Sequence, residues 1–506
     1  MNPILVLIIL LGYFTVLIII SVVTSRGATS DTFFTANRQS PWYLVAYGMI
    51  GASLSGVTFI SVPATVGSAA FSYFQVVLGY VLGYWVIIAV LLPLYYRLNL
   101  ISIYAYLDQR FGVVAYKTGS FFFMLSRSVG SSLRLFLAAS VLQLFLFNAW
   151  NVPFVATVAI TIFFIWIYTF KGGIKTIVWT DTFQTTFLIL SVVISVTLIA
   201  RQLDLGFLDI FSRVFSSDYS RIFFFDDPKS TLFFPKQFFG GAFIAITMTG
   251  MDQDLMQKNL TCRNIADAQK NVFWLSTTLV VVNLLFLMLG ALLYLYSTEL
   301  NIPLPAVRDE LFPRLAFSEF GLLAAIMFLL GITASTYASS DSALAALTTS
   351  FCIDFLDFKN KPEAVKVKQK NLTHIGFSVL FLIIILIFNQ INEKSLIAAV
   401  LMAATYTYGP LLGLFSFGIF TNRAVKDKWV PAICILSPVI CYLLVSNAPR
   451  LFNGYAIGLE NLFINGSITF LGLYLISRPQ SKGDGQEVKQ YNKTNRPGDN
   501  RSMPGR

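Results

Sequence analysis

The sequence predicts an all-α polytopic membrane protein with about thirteen transmembrane helices. Of its 506 residues, 56% are hydrophobic and only 12% are charged, whereas about 25% are charged in an ordinary soluble domain. The mean hydropathy is +0.71, and residues 39–96 contain no Asp, Glu, Lys or Arg. At about 1.5 Å per residue this run exceeds one bilayer crossing, so it must form two helices with a short link. A soluble, secreted or nuclear enzyme is therefore excluded.

The same test applied along the chain defines thirteen candidate spans, which we number in chain order. They lie near residues 3–24, 41–69, 74–96, 118–146, 151–170, 176–200, 235–257, 271–297, 320–353, 371–391, 395–421, 429–448 and 459–477. Residues 1–480 then form one transmembrane domain. Residues 481–506 are rich in Gly, Asn, Gln, Lys and Pro, and we predict that they form a disordered cytoplasmic tail.

Basic residues segregate by side in this arrangement. Of the 36 Lys and Arg residues, 25 follow odd-numbered spans or lie in the tail, and nine lie on the opposite side. Because Lys and Arg concentrate on the cytoplasmic side, we expect a multi-pass protein of the cell inner (plasma) membrane with its N-terminus outside and its C-terminus inside. Topology thus accounts for the net charge of +11, and no nucleic-acid partner is expected.

Spans two and seven are interrupted by glycine. Residues 48–67 contain four glycines and Pro63 among several hydroxyl side chains, and residues 240–254 contain three glycines followed by Asp252 and Asp254. Unwound backbone at membrane depth is tolerated where it lines a cavity, so paired interruptions point to a binding site. Because the two spans are five apart, spans 2–6 and 7–11 are predicted to form two five-helix inverted repeats, with one leading and two trailing helices. The alternative is that these glycines only allow close helix packing.

Ionisable residues inside spans are costly and therefore functional by default. We single out Arg127, Arg134, Asp181 and Asp341. Asp341 lies among serines in the long span nine, and oxygen ligands so dense in apolar surroundings suit a small hard cation. Hydroxyls that bond back to helix carbonyls would explain the serines but not the carboxylate.

The two arginines of span four are seven residues apart, on one helix face, so both can point into the bundle. Either could bind a carboxylate-bearing solute through a bidentate fork, or could pair with Asp181 or Asp341 as a structural ion pair. We favour Arg134 for the solute because it lies deeper in the span. His374, the only histidine, is expected at the cytoplasmic interface rather than in a proton relay.

Four ordered motifs on these spans resemble the sodium:solute symporter family over roughly residues 5–425. They are Lys171–Gln184 (KGGIKTIVWTDTFQ), Tyr106–Gly112 (YLDQRFG), Gly250–Gln253 (GMDQ) with Gln257, and Tyr408–Gly413 (YGPLLG). The resemblance implies a fold of the leucine-transporter type with a leading extra helix. Its members take up sugars, amino acids, vitamins and anions.

The resemblance also implies a main sodium site. Backbone carbonyls of Gly51 and Leu54 in span two and of Ser335 in span nine would bind the ion, with the Ser339 hydroxyl nearby. The family usually has two adjacent hydroxyls, whereas this chain has Ala338 before Ser339. Either Ser340 substitutes, or the site is weaker, or the register of span nine against the family pattern is shifted by one residue.

A second sodium site is implied at Asp181, Asp341 and Ser342, which match positions that bind a second ion in some members. The number of sodium ions per cycle stays open. The solute should lie between the unwound parts of spans two and seven, and its predicted contacts are Ser53, Ser55, Thr58, Gln75, Arg134 and Thr249. Relatives with a sugar pocket have an acid beside Gln in span two, where this chain has Val57 and Thr58. A compact polar or anionic solute is therefore favoured over a simple hexose.

The sequence as a whole predicts a sodium-coupled symporter that imports a small polar or anionic organic solute by alternating access. Sodium is the expected coupling ion, with no organic cofactor, and the expected partners are the solute and the lipid bilayer. A proton-coupled carrier of the same fold that uses Asp341, or a non-transporting membrane sensor, remains an alternative. An intramembrane enzyme is not expected because the chain has no His/Cys grouping at span depth. The sequence leaves the solute and the oligomeric state open.

Overall fold

The computed structural model describes residues 3–26, 30–169, 173–356, 358, 361–390 and 396–479. The predicted tail at residues 481–506 lies outside these residues. Within them, eight helices are long and apolar enough to cross a membrane, or ten if each of two bent pairs is one span. The eight are Pro3–Thr24, Tyr73–Arg97, Val113–Leu144, Gly173–Gln202, Ile265–Glu299, Gly321–Asp354, Glu363–Phe388 and Asp427–Leu451.

Span two is one of the bent pairs. Its helices Trp42–Ser53 and Gly56–Ala69 meet at 57°. Between them Leu54 is non-helical (φ −90°, ψ 74°) and Ser55 is extended. The other bent pair, in span eleven, is Ile397–Thr407 with Gly409–Phe420, at 44°. The predicted interruption of span two is confirmed.

Span seven is interrupted near its C-terminal end. The helix Phe234–Ala245 continues as a π-helical turn over Ile246–Gly250, and Asp252 is extended before the short helix Gln253–Asn259. Span three contains a similar π turn at Ile87–Leu91.

Two shorter apolar helices, Phe154–Thr169 and Asn461–Leu475, lie at predicted spans five and thirteen. Each of the thirteen predicted stretches therefore holds a helix or a broken helix, although only eight to ten meet the length and hydropathy criteria for a span. The count of thirteen and the two inverted repeats stay predictions.

Short elements connect these helices. The helical ones are Ser30–Thr35, Ala36–Arg38, Ala105–Arg110, Phe147–Trp150, Phe207–Phe215, Asp218–Ser220, Arg308–Glu310, Leu311–Ser318 and Asp427–Trp429. The strands Arg423–Val425 and Ser477–Pro479 pair antiparallel, which ties the end of span eleven to the chain after span thirteen.

Span nine, Gly321–Asp354, forms the centre of the bundle and is buried from Gly331 through Ser350. Span six packs along it, since Ser191 approaches Gly331 closely. Apolar side chains of the peripheral spans are exposed instead, among them Ile8 of span one and Ile383 of span ten. A central polar helix surrounded by apolar outer faces suits a protein whose solvent is lipid.

Candidate functional site

A cavity of about 100 Å³ lies beside the break in span two. Its walls come from spans two, three, four, seven, eight and eleven. Five of the six predicted solute contacts line it, namely Ser53, Ser55, Thr58, Arg134 and Thr249. The remaining wall is largely aromatic and aliphatic and includes Tyr73, Tyr80, Tyr84, Met248 and Val400. A mostly apolar pocket with a few convergent polar groups is typical of a small-molecule site.

Gln75 is not among the residues that line this cavity. Its Nε2 donates to the carbonyl oxygens of Ser72 (3.3 Å) and Leu232 (3.1 Å), and its Oε1 accepts from the amide of Phe224 (3.2 Å). Both polar atoms of the buried amide are thus used to hold the connection before span seven. The structure therefore shows Gln75 in contact with a loop, and its predicted contact with the solute stays a prediction.

Arg134 lies on the cavity wall and is only 9% exposed. Among the described residues no carboxylate lies within 4 Å of its guanidinium, and its Nε has no hydrogen-bond partner. A buried charge without a counter-charge is costly. This position therefore favours an anionic group in the cavity.

Arg127, two turns earlier, has a different environment. Its guanidinium forms an ion pair with Asp254, and it lies 3.8 Å from Asp252. Neither arginine pairs with Asp181 or Asp341, as the sequence had left possible. Arg127 is therefore committed to the break of span seven, although it reaches the edge of the cavity.

The unwound backbone of span seven is held by tyrosine hydroxyls. Tyr95 donates to the carbonyl of Gly250 at 2.8 Å, and Tyr104 donates to that of Met251 at 2.9 Å. Tyr408, at the break of span eleven, donates to Asp252. These contacts satisfy backbone and carboxylate groups that would otherwise be buried unpaired.

The break in span two lies against span nine, where the main sodium site was predicted. The helix ends at Ser53, so its last carbonyls, near Gly51 and Leu54, have no intrahelical donors. A Cβ at Gly56 would collide with the Thr336 hydroxyl, so glycine is what permits this close approach. The Thr336 Oγ1 is buried with no hydrogen-bond partner among the described residues.

Two hydroxyls of span nine near the predicted main site, one of them on Ser335, whose backbone carbonyl is the predicted ligand, are already oriented. Ser335 Oγ donates to the carbonyl of Ile332 at 3.1 Å, and Ser339 Oγ donates to that of Thr336 at 3.0 Å. A hydroxyl that donates its proton backward keeps lone pairs for a cation. Hydroxyl and carbonyl oxygens without sulfur or nitrogen fit sodium, a small hard ion.

Ser340 is poorly placed to replace the missing hydroxyl at Ala338. Two residues along an α-helix correspond to a rotation of about 200°, so the two side chains leave the helix on nearly opposite sides. The predicted main site would then have one hydroxyl fewer than the pattern that the resemblance implies.

At the predicted second site the structure introduces Lys258, which the predicted bounds of span seven, residues 235–257, leave in the cytoplasmic loop after that span. Lys258 Nζ lies 2.6 Å from Asp181 Oδ2, and both side chains are 1% exposed. Asp341 Oδ2 accepts from the Tyr168 hydroxyl at 2.8 Å. Ser342 Oγ donates to the carbonyl of Ala338 at 2.7 Å. The loop assignment of Lys258 was wrong because the helix Gln253–Asn259 turns into the bundle and is fully buried.

His374 is also buried, in contact with hydroxyls of spans five and nine. Its Nδ1 lies 3.0 Å from Thr348 Oγ1, and its Nε2 lies 3.3 Å from Thr169 Oγ1. Neutral imidazole offers one donor and one acceptor to these hydroxyls. His374 thus links spans five, nine and ten as a packing residue.

A family model described as the sodium:solute symporter family matches residues 33–427. The sodium/sialic acid symporter SiaT of Proteus mirabilis is 25% identical over 483 residues, which are 91% of this chain and 94% of that protein. NanT of Aliivibrio fischeri, another sodium/sialic acid symporter, is 26% identical over 413 residues, or 79% of each chain. The mouse sodium-coupled monocarboxylate transporter 1 is 29% identical over 416 residues, which are 78% of this chain and 65% of that protein.

Solved structures share the fold. A Na⁺-coupled sialic acid symporter in a substrate-bound outward-open state superposes with a TM-score of 0.79, at 20% identity, over 94% of this chain and 99% of that one. Mhp1, a nucleobase-cation-symport-1 family transporter in a closed conformation, gives a TM-score of 0.54 at 15% identity, over 91% of this chain and 95% of that one. At these identities the likeness extends to the fold alone.

Proposed function

Because the chain belongs to the sodium:solute symporter family, we propose that it is a sodium-coupled symporter that imports a small organic solute carrying a carboxylate. Sodium-coupled transport follows from the family, and its relatives are transporters rather than enzymes. The solute class is the part of this proposal that goes beyond the family. It rests on one observation, the buried Arg134 guanidinium that faces the cavity without an acidic partner among the described residues.

The relatives support an anionic solute. Sialic acid is named for two of them and monocarboxylates for a third, and all these solutes carry a carboxylate. A guanidinium binds a carboxylate through two parallel hydrogen bonds, which fix its orientation as well as its charge. The hydroxyls of Ser53, Ser55, Thr58 and Thr249 would then bind the remaining polar groups of the solute.

Coupling requires that sodium favour one conformation, because a ligand with equal affinity for both states shifts nothing. Gly51, Leu54, Ser335 and Ser339 are the proposed ligands of the main sodium ion. They belong to two elements, the broken span two and the straight span nine. An ion held between them would join these spans in the solute-competent state, and its loss would release them for alternating access.

We further propose that the protein lies in the inner (plasma) membrane with its N-terminus outside and its C-terminus in the cytoplasm. The segregation of Lys and Arg between alternate loops supports this orientation. Cysteine labelling of single variants on either side would test it.

The test of the function uses the purified full-length protein. Thermal unfolding is followed in sodium chloride and in choline chloride across matched solute pairs, each a carboxylate and its amide or alcohol. We expect stabilisation by sodium, and further stabilisation by carboxylates only when sodium is present. Preference for the neutral member of each pair would overturn the solute class.

Uptake into proteoliposomes then tests coupling. A carboxylate that stabilises the protein should accumulate when a sodium gradient is imposed. Accumulation driven by a pH step without sodium would instead favour the proton-coupled alternative at Asp341.

A further inference from the structure

The ion pair between Lys258 and Asp181 lies where a second sodium ion was predicted. The ammonium is 2.6 Å from Asp181 Oδ2, so it already occupies one side of the carboxylate that the ion would need. Both side chains are buried, and an ion pair excluded from water is screened little by salt. Sodium would have to enter beside a fixed positive charge in a region of low dielectric constant.

The charged groups around this pair come from three spans. Asp181 belongs to span six, Asp341 to span nine, and Lys258 and Asp254 to span seven, and all interact electrostatically. Asp254 has its own partner in Arg127. Lys258 therefore interacts mainly with Asp181 and Asp341, the two carboxylates assigned to the second site.

The carboxylate oxygens that neither Lys258 nor Tyr168 contacts show where an ion would otherwise bind. Asp181 Oδ1 and Asp341 Oδ1 are buried with no hydrogen-bond partner among the described side chains. The ammonium of Lys258 neutralises one of these two carboxylates through its contact with Asp181. Lys258 thus supplies to this pair of carboxylates the positive charge that a second sodium ion would otherwise bring.

We infer that Lys258 is a tethered cation that replaces the second sodium ion at Asp181, so that one sodium ion accompanies each solute. This inference rests on the proposed function as a sodium-coupled symporter. The lysine belongs to the helix that follows the break of span seven. Because its charge is covalently attached to the protein, it is not released with the solute during the cycle. The ion pair then joins spans six and seven whether or not sodium is bound.

A purely structural ion pair is the competing explanation, and ion counting separates the two. Equilibrium binding of ²²Na⁺ to the purified protein, without solute, should give one site per chain. Lys258→Met frees Asp181 and Asp341, and it should raise the number to two. The double variant Lys258→Met/Asp181→Asn should return it to one.

Two further variants serve as controls. Lys270→Met removes a lysine that is exposed and should leave one site. Lys258→Arg keeps the tethered charge and should also leave one. If Lys258→Met does not fold, the numbers of sodium ions bound by the wild type and by Lys258→Arg still test the inference, because each should be one.

Two sodium ions bound to the wild type, or one bound to a folded Lys258→Met protein, would overturn the inference and leave the proposed function intact. Absence of saturable ²²Na⁺ binding and of sodium-driven uptake in the wild type would overturn the proposed function itself.

Discussion

Arg127 and Arg134 lie two turns apart on the same helix, yet of the two only Arg127 has an acidic partner among the residues that the structure describes. Arg127 pairs with Asp254, and among the described residues no carboxylate lies within 4 Å of Arg134. Both are buried and both reach the cavity. The chain thus uses one guanidinium to hold the unwound part of span seven and leaves the other for the solute.

Arg134→Met should weaken carboxylate binding while sodium binding persists. A hydrogen bond to a charged group contributes about 1.5–3 kcal/mol, so we expect the Kd for the solute to rise about 10- to 150-fold. Arg134→Lys keeps the charge but loses the planar fork, so its Kd for the solute should lie between those of the wild type and Arg134→Met. Isothermal titration with a carboxylate identified by thermal shift measures the effect. Unchanged solute affinity in Arg134→Met would refute this role.

Arg127→Met should mainly reduce stability. Removal of one partner of a buried ion pair costs about 3–5 kcal/mol, because the remaining carboxylates are left uncompensated. We expect a lower Tm, and little of the protein should remain folded and able to bind sodium at room temperature. The double variant Arg127→Met/Asp254→Asn should recover part of the loss. If the single variant has the wild-type Tm, the pair is not structural.

The interruption of span two could be predicted from sequence because its cause is local. Several glycines and hydroxyl residues within 20 positions weaken the helix wherever it folds. The cavity followed from the same logic, since broken backbone needs a polar lining. Ser53, Ser55 and Thr58 therefore face the cavity as expected.

Residues whose environment depends on distant chain segments could not be predicted in this way. Lys258 follows a polar run that resembles the end of a span, and the packing of its helix against spans nine, two and six buries it. Gln75 lies in an apolar stretch beside the break, and its partners, Leu232 and Phe224, are about 150 positions away. Hydropathy carries no information about such contacts.

Ala338→Ser should strengthen sodium binding. The substitution restores the second hydroxyl of the family pattern one residue before Ser339, and each added oxygen ligand favours a hard cation. We expect the sodium concentration for half-maximal thermal stabilisation to fall several-fold. Ser340→Ala is the matched control, since its side chain leaves the opposite side of the helix, and it should change little. A larger effect of Ser340→Ala would place Ser340 in the site instead.

Gly56→Ala should disturb the contact between the two sodium-binding elements. The new methyl group would collide with the Thr336 hydroxyl, and overpacking of a buried contact costs about 1–3 kcal/mol. The Tm should fall and the half-saturating sodium concentration should rise together, because the same contact positions the carbonyls near Leu54. Gly376→Ala, where a Cβ would meet nothing within 4 Å, controls for the loss of glycine and should keep both values. Removal of the clashing oxygen in Gly56→Ala/Thr336→Ala should restore the Tm. If sodium affinity stays low in that double variant, the Thr336 hydroxyl is itself a ligand, and if it recovers with the Tm, Thr336 acts only through packing.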